Sequence, residues 1–433
     1  MMTREGVCVS KLYMTGQKRL SGDVQLQGAK NSALPLLAAT VLAQGESVLY
    51  NCPQLSDTEA SLRILRWLGC GAERCDGVVI VKNDGIARHD IPDSFMRQTR
   101  GSVLFLGAVL AKQGRVRLSL PGGCEIGQRP IDMHLKALRR LGAVIKERHG
   151  WLDCRTPHGL KGADIALPFP SVGATEEVLL AACTAEGVTT LTNAAREPEI
   201  SDLADYLNRC GACIRGAGES VIRIEGVRAL RGCAHAVIPD RIVAATLIAC
   251  AAVTGSSITV KGVIHSHLSA VLPVFEDAGC TFSAKENELH MTAPARLHSM
   301  KIVRTMPYPG FPTDAQSPLL AAAAVADGTT VLIENIFENR YRHVAELTRM
   351  GADIKTEGKF AVIDGVPQLY GAAVEATDLR GAAALVVAGL CAEGKTELDG
   401  VKYLDRGYEH FEQVLTSLGA DIKTLPLLLE CCT

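Results

Sequence analysis

The sequence predicts an α/β protein of two similar domains, each made of three units of about 70 residues around buried helices, with a cleft between the domains. Three observations predict this. Two series of glycines recur at a common spacing, apolar helices alternate with amphipathic ones, and the glycines are followed by strand patterns.

The first series is Gly69, Gly142, Gly211, Gly279, Gly351 and Gly419, at spacings of 73, 69, 68, 72 and 68 residues. The second is Gly45, Gly114, Gly187, Gly255, Gly328 and Gly394, at spacings of 69, 73, 68, 73 and 66. Two independent markers sharing one period make a sixfold internal repeat. Glycine after a helix suits the left-handed position that ends it.

The helices before the two series differ in kind. Those before the second series, such as 34–43, 319–326 and 382–392, are apolar nearly all round and belong inside a core. Those before the first, such as 202–209, are amphipathic and belong outside. Strand patterns follow at 47–50, 188–191, 257–260 and 329–333, and again at 144–146 and 353–355. Each unit therefore reads helix–strand–helix–strand–strand. Three units make a plausible closed domain, so the switch between domains is expected near 237–241, where Pro239 interrupts the chain.

A chain of 433 residues, 47% hydrophobic and 21% charged, is globular and long enough for several cores. The net charge of -2 excludes an overall basic excess, so neither nucleic acid nor an anionic membrane is an expected partner. An anionic substrate would need locally concentrated cations. Fifteen cysteines lie scattered through apolar runs, which points to a reducing, cytoplasmic setting rather than a disulfide framework. Cys210 and Cys213 form a lone CxxC without a second pair, a weak signal for zinc or redox use. Residues 1–14 have no signal-peptide core, and the longest apolar runs fall far short of the roughly 18 residues of a membrane span.

The loop Leu120-Pro121-Gly122-Gly123-Cys124-Glu125-Ile126-Gly127-Gln128-Arg129-Pro130 joins an alternating strand (Val116, Leu118 and Leu120 on one side) to a helix with Met133, Leu135 and Leu138. Its glycines permit closure over a ligand, and a thiol beside a cation can serve as nucleophile or acid. An ordinary turn with an idle cysteine is the other reading. All six buried-helix starts carry polar or charged residues: Lys30 and Asn31, Arg100, Ser171 to Thr175, Asp240 and Arg241, Asp314, and Asp378 with Arg380. Any one could be a simple cap, but all six could converge on a cleft. Arg340 and Arg406 add cations near unit junctions, and guanidinium groups bind oxyanions in bidentate fashion. No Walker loop or dinucleotide fingerprint is present.

These stretches resemble the UDP-N-acetylglucosamine 1-carboxyvinyltransferases, within the enolpyruvyl transferase superfamily. The matching residues are Gly28-Ala29-Lys30-Asn31, Leu120-Pro121-Gly122-Gly123-Cys124, Ser171-Val172-Gly173-Ala174-Thr175 and Asn193-Ala194-Ala195-Arg196-Glu197-Pro198-Glu199. Further along stand Pro239-Asp240-Arg241, Phe311-Pro312-Thr313-Asp314, Phe337-Glu338-Asn339-Arg340, Ala376-Thr377-Asp378-Leu379-Arg380 and Asp405-Arg406-Gly407-Tyr408. They run in order over nearly the whole chain.

The resemblance implies an inside-out α/β barrel of βαβαββ-type units, with residues 30–238 as one domain and 1–29 plus 239–433 as the other. It implies transfer of the enolpyruvyl group of phosphoenolpyruvate to the 3′-hydroxyl of UDP-N-acetylglucosamine, by addition then elimination with release of phosphate. No cofactor and no metal are implied, and the expected state is a monomer or weak oligomer. Cys124 matches the loop thiol, proton donor and covalent attachment point. Asp314 matches the carboxylate beside the sugar hydroxyl. Lys30, Arg129 and Arg406 match cations around the phosphate, and Arg340 and Arg380 those serving the carboxylate and closure. Asn31, Arg100, Ser171, Val172 and Gly173 match nucleotide-sugar positions. Asp378 matches a carboxylate in the reaction centre and, with Glu197, Asp240 and Phe337, falls within the matching stretches as a further substrate-binding position.

Ser56 and Phe169 stand where many or some relatives carry lysine, and the tail 425–433 has no counterpart in the pattern. Two alternatives remain open. A transferase acting on shikimate 3-phosphate would share the repeat but lack the Cys124 loop. An inactive or regulatory paralogue would keep the fold and lose nucleotide-sugar binding.

Overall fold

The computed structural model describes residues 10–120 and 131–426. Its strands form six separate open sheets, five of four strands and one of five. The third unit shows the pattern. Asp164–Ala166 runs parallel to Val188–Thr192, which is antiparallel to Val221–Glu225, and that strand is antiparallel to Cys213–Arg215. A parallel pair needs a crossover, and here the crossover is the buried helix Val172–Ala182. The unit is therefore βαβαββ, and the sheets lie around the helices without closing into a barrel among the described residues.

Three sheets are completed by strands distant in sequence. Ser21–Gln25 pairs in parallel with Ser257–Lys261, and Ser10–Thr15 lies between Lys395–Asp399 and Asp421–Pro426, with Leu12 opposite Leu398. Leu230–Arg231 and Ala234–Ala236 pair in parallel with Ala43–Tyr50. Two hydrophobic cores result. One joins Leu12 to Leu26 with residues from Val243 to Ile422; the other runs from Ala33 to Val237.

In the first of these cores the helices Arg241–Val253, Thr313–Ala323 and Leu379–Cys391 pack against one another. Their alanines (Ala244, Ala249, Ala321, Ala322, Ala383 and Ala384, all inaccessible to solvent) let the backbones approach closely. Truncating Leu320 or Leu385 to alanine there would cost about 2–5 kcal/mol. In the other core Phe105–Gln113 packs on Val172–Ala182, while Lys30–Ala39 packs mainly on the outer helices Ser56–Leu68 and Pro198–Arg209.

All twelve periodic glycines have positive φ, from 58° at Gly255 to 108° at Gly69, so the repeat marks a backbone requirement. Some element bounds differ from expectation. The first buried helix ends at Ala39, and Ala43 already begins a strand. Arg100–Leu104 is a 3₁₀ turn leading into Phe105–Gln113. Leu120 lies beyond the strand Arg115–Ser119 and is exposed, unlike Val116 and Leu118, because the ladder ends one residue earlier.

The chain passes between the two cores twice, side by side. Gly28 and Pro239 form an antiparallel bridge, Ala29 N–H donates to the Ile238 carbonyl at 2.7 Å, and Asp240 N–H to that of Gln27 at 3.0 Å. A Cβ at Gly28 would stand 1.8 Å from the Asn51 carbonyl oxygen, so only glycine fits. This crossing places the start of the first buried helix beside that of the fourth.

Candidate active site

Lys30 opens its helix, and its backbone N–H donates to Asp240 Oδ2 at 3.1 Å. The other oxygen of Asp240 accepts from Ile242 and Val243 at the start of the fourth helix. One buried carboxylate thus caps two helices. Burial raises its pKa, while Arg380 and these donors pull it down.

The Lys30 ammonium is buried too, and it meets Asp57 Oδ2 at 2.8 Å. Arg406 reaches both oxygens of the same carboxylate, at 3.1 and 3.4 Å. Asp57 is in the first turn of Ser56–Leu68, whose N-terminus favours an anion. Burial would raise its pKa, yet Lys30 and Arg406 hold it below the usual range. Burial lowers that of Lys30, against the pull of Asp57. The pair is kept ionised from the carboxylate side, and the ammonium is the readier of the two to lose its charge.

A second clamp repeats the arrangement. Arg340 Nη2 meets Asp314 Oδ1 at 2.8 Å, and Arg380 Nη2 meets Oδ2 at 2.9 Å, with Asn31 Nδ2 at 3.4 Å from Oδ2. Asp378 caps the sixth helix by accepting from the backbone N–H groups of Arg380 and Gly381, which orients Arg380. Phe337 stands 5.7 Å from the Arg340 guanidinium, and its N–H donates to Glu334. Glu334 also accepts from Thr305 and Thr313, so it ties the Phe337 loop to the residue before Asp314. His343 is buried near Asp378 and Arg340. Burial pushes its pKa down to about 4, so it is a neutral imidazole at pH 7.

Ser171 caps the third helix, accepting from Ala174 N–H at 3.3 Å. Val172 and Gly173 form its first turn, and a Cβ at Gly173 would come within 2.7 Å of His134 Nε2. Burial and the nearby charge of Arg100 push His134 down to about 4. The structure thus groups Ser171 to Gly173 with His134 and Arg100. Glu197 is bonded to the Tyr308 N–H across from the other core, at 3.3 Å; burial raises its pKa. Beside it, Glu199 holds Arg241 through both oxygens, at 3.0 and 3.3 Å.

Cys124 and Arg129 lie outside the described residues. Phe169 and Ser56 are both exposed. The CxxC reading gains no support. Cys210 Sγ lies 3.4 Å from Cys233 rather than Cys213, burial pushes its thiol up to about 12, and no cluster among the described residues could hold a metal. Sequence reasoning missed Asp57, His134, Glu334 and His343 as parts of the site. Only Asp57 left a sign, as an acid in a helix first turn beside Ser56.

Two clamps of paired cations, each already gripping an internal carboxylate, make a site suited to a ligand with two separate oxyanions. The EPSP synthase (3-phosphoshikimate 1-carboxyvinyltransferase) family model matches residues 14–415. The chain is 48% identical to UDP-N-acetylglucosamine 1-carboxyvinyltransferase 1 of Symbiobacterium thermophilum, over 97% of each chain. It is 47% identical to UDP-N-acetylglucosamine 1-carboxyvinyltransferase of Myxococcus xanthus, over 96% of this chain and 99% of that one. Among solved structures, the enolpyruvyl transferase NikO from Streptomyces tendae superposes with a TM-score of 0.88 at 25% identity, covering 97% of this chain and 99% of that one. EPSP synthase from Acinetobacter baumannii shares the fold, with a TM-score of 0.76 at 22% identity, covering 96% and 100%.

Proposed function

The chain belongs to the UDP-N-acetylglucosamine 1-carboxyvinyltransferases of the EPSP synthase family, and from that premise we propose how its residues carry out the transfer. The reaction moves the enolpyruvyl group of phosphoenolpyruvate to the 3′-hydroxyl of UDP-N-acetylglucosamine and releases phosphate, in peptidoglycan synthesis. The sugar oxygen adds to C2 of the enol while C3 gains a proton, forming a tetrahedral ketal. Loss of a C3 proton and cleavage of the C2–O bond to phosphate then regenerate the vinyl group.

The observation that carries the residue assignment is the pair of clamps. Lys30 and Arg406 receive the phosphate in place of Asp57, and Arg340 and Arg380 receive the carboxylate in place of Asp314. Asp314, relieved of its guanidinium partners, then takes the proton of the sugar hydroxyl, with Asn31 beside it. Asp378 and Asp240 hold the helix starts, and Arg100, Ser171, Val172 and Gly173 bind the nucleotide-sugar with Glu197 and Phe337 at its border. Cys124 supplies the C3 proton and carries the covalent adduct, and Arg129 joins the phosphate cations. The domains divide as 30–238 and 1–29 with 239–433, and the protein works in the cytoplasm as a monomer or weak oligomer.

Mass spectrometry of the acceptor tests the reaction: UDP-N-acetylglucosamine gains one enolpyruvyl unit, and shikimate 3-phosphate gains none. Product on shikimate 3-phosphate would overturn the acceptor assignment. Asp314→Ala should lower turnover far more than nucleotide-sugar binding, and equal loss of both would argue for a positioning role instead.

A further inference from the structure

We propose that Tyr408 is a positioning residue that holds Arg380 in register for the substrate carboxylate, through a chain of hydroxyls anchored on the fourth buried helix. The inference rests on the reading of Arg380 as a carboxylate-binding cation.

The Tyr408 hydroxyl is buried between two partners. Arg380 Nη1 donates to it at 3.2 Å, and Thr246 Oγ1 lies 3.0 Å away. Thr246 is within 3.0 Å of the Ile242 carbonyl, the oxygen one turn back in its own helix. One donor assignment satisfies every group. Arg380 donates to Tyr408, Tyr408 to Thr246, and Thr246 to Ile242. The chain therefore ends on backbone.

Arg380 is buried, and its fork is held at two corners. Nη2 is on Asp314, Nη1 is on Tyr408, and Nε has no partner among the described residues. These tethers differ in kind. Asp314 is the group assigned to the chemistry, so its bond to Arg380 has to change when the substrate carboxylate arrives. The phenol has no such duty, and burial raises its pKa, which keeps it a neutral donor and acceptor. Tyr408 is thus the tether that persists through turnover.

Its place in the chain adds a second constraint. Tyr408 follows Arg406 by two residues, so one short segment sets cations of both clamps. That segment is itself fixed: the Gly407 carbonyl accepts from Gln27 at 3.2 Å, and the Glu409 N–H donates to the Gln27 side chain at 2.7 Å. The competing view is that Tyr408 only fills the core against Phe411, whose ring centre is 4.6 Å away. A phenylalanine at 408 keeps that packing and removes only the hydroxyl.

The test is steady-state kinetics of the full chain with phosphoenolpyruvate varied at saturating UDP-N-acetylglucosamine, alongside thermal unfolding. Tyr408→Phe should raise KM for phosphoenolpyruvate about tenfold, the scale of one hydrogen bond to a charged group, with KM for the nucleotide-sugar unchanged and the melting midpoint lowered by no more than a few degrees, the cost of one orphaned Nη1. Thr246→Val should raise it about two- to threefold, and Tyr408→Phe should add nothing in an Arg380→Gln background. If Arg380→Gln raises that KM and Tyr408→Phe does not, the positioning role is wrong while the reading of Arg380 stands. If Arg380→Gln leaves it unchanged, the reading of Arg380 falls and takes the inference with it. A Tyr408→Phe variant that loses more melting temperature than that and raises both KM values alike would make the tyrosine merely structural, and overturn the proposal.

Discussion

Replacing Asp57 by asparagine is the most informative perturbation of the clamp proposed to receive the phosphate. The side chain keeps its size but loses the charge that holds Lys30 at 2.8 Å and Arg406 at 3.1 Å. At an effective dielectric of about 20, one pair at that separation is worth roughly 6 kcal/mol before desolvation is counted. Returning the carboxylate to water offsets much of this, but the cations stay behind. Breaking a buried pair from one side typically costs about 3–5 kcal/mol. Lys30, whose pKa burial already lowers, can shed its proton and relieve part of that strain, so the lower end, about 3 kcal/mol, is expected. For a domain of this size that is a fall of roughly 6–12 °C in the melting midpoint. Calorimetry with and without inorganic phosphate reads both halves of the argument. Phosphate should stabilise Asp57→Asn more than the parent protein, because in the parent it must displace a carboxylate. A fall worth less than about 1 kcal/mol, or equal stabilisation by phosphate, would refute the idea that Asp57 occupies an anion seat.

Three further outcomes are expected. Glu177 is fully buried beside the backbone of Gly107, no cation among the described residues pairs with it, and burial raises its pKa well above the ordinary 4.5. The unfolded chain ionises it near its ordinary value while the folded chain keeps it protonated, so its stability contribution is complete below that pH and is lost as pH rises. Glu177→Gln should therefore melt higher than the parent at pH 7, with the gap closing toward pH 4, and a pH-independent gap would contradict the burial argument. Gly28→Ala drives a Cβ into the Asn51 carbonyl, a backbone atom that cannot swing away, and should cost about 1–3 kcal/mol or more by thermal melting. Cys124→Ser should abolish alkylation by the epoxide fosfomycin, read by intact mass, and labelling elsewhere would count against the loop assignment.

Much of this architecture was legible because it rests on local demands. A left-handed residue after a helix calls for glycine, so the repeat could be counted from Gly69 to Gly419 without any structure. A helix buried on every side must be apolar on every side, which exposed Lys30, Asp314 and Arg380 as charges at the margins of such helices. What stayed hidden depends on contacts between distant segments. No local pattern in Ser10–Thr15 says that it lies between Lys395–Asp399 and Asp421–Pro426. Asp57 reads as an ordinary acid complementing a helix N-terminus until Arg406, 349 residues away, is seen on it. Asp202 sits on an amphipathic helix, yet it is buried because it accepts from Ser32 and meets His235 at 2.8 Å. His343 and Glu177 look like surface residues by type, and only packing shows them enclosed.

The reaction itself is tested most directly by phosphate release from phosphoenolpyruvate, followed with and without UDP-N-acetylglucosamine and before and after fosfomycin. Release should require the nucleotide-sugar and stop once the protein has been treated. Sugar-dependent release that survives fosfomycin would keep the reaction and remove Cys124 from its role. No release from the folded protein would contradict the account and leave a paralogue that has kept the fold without the chemistry.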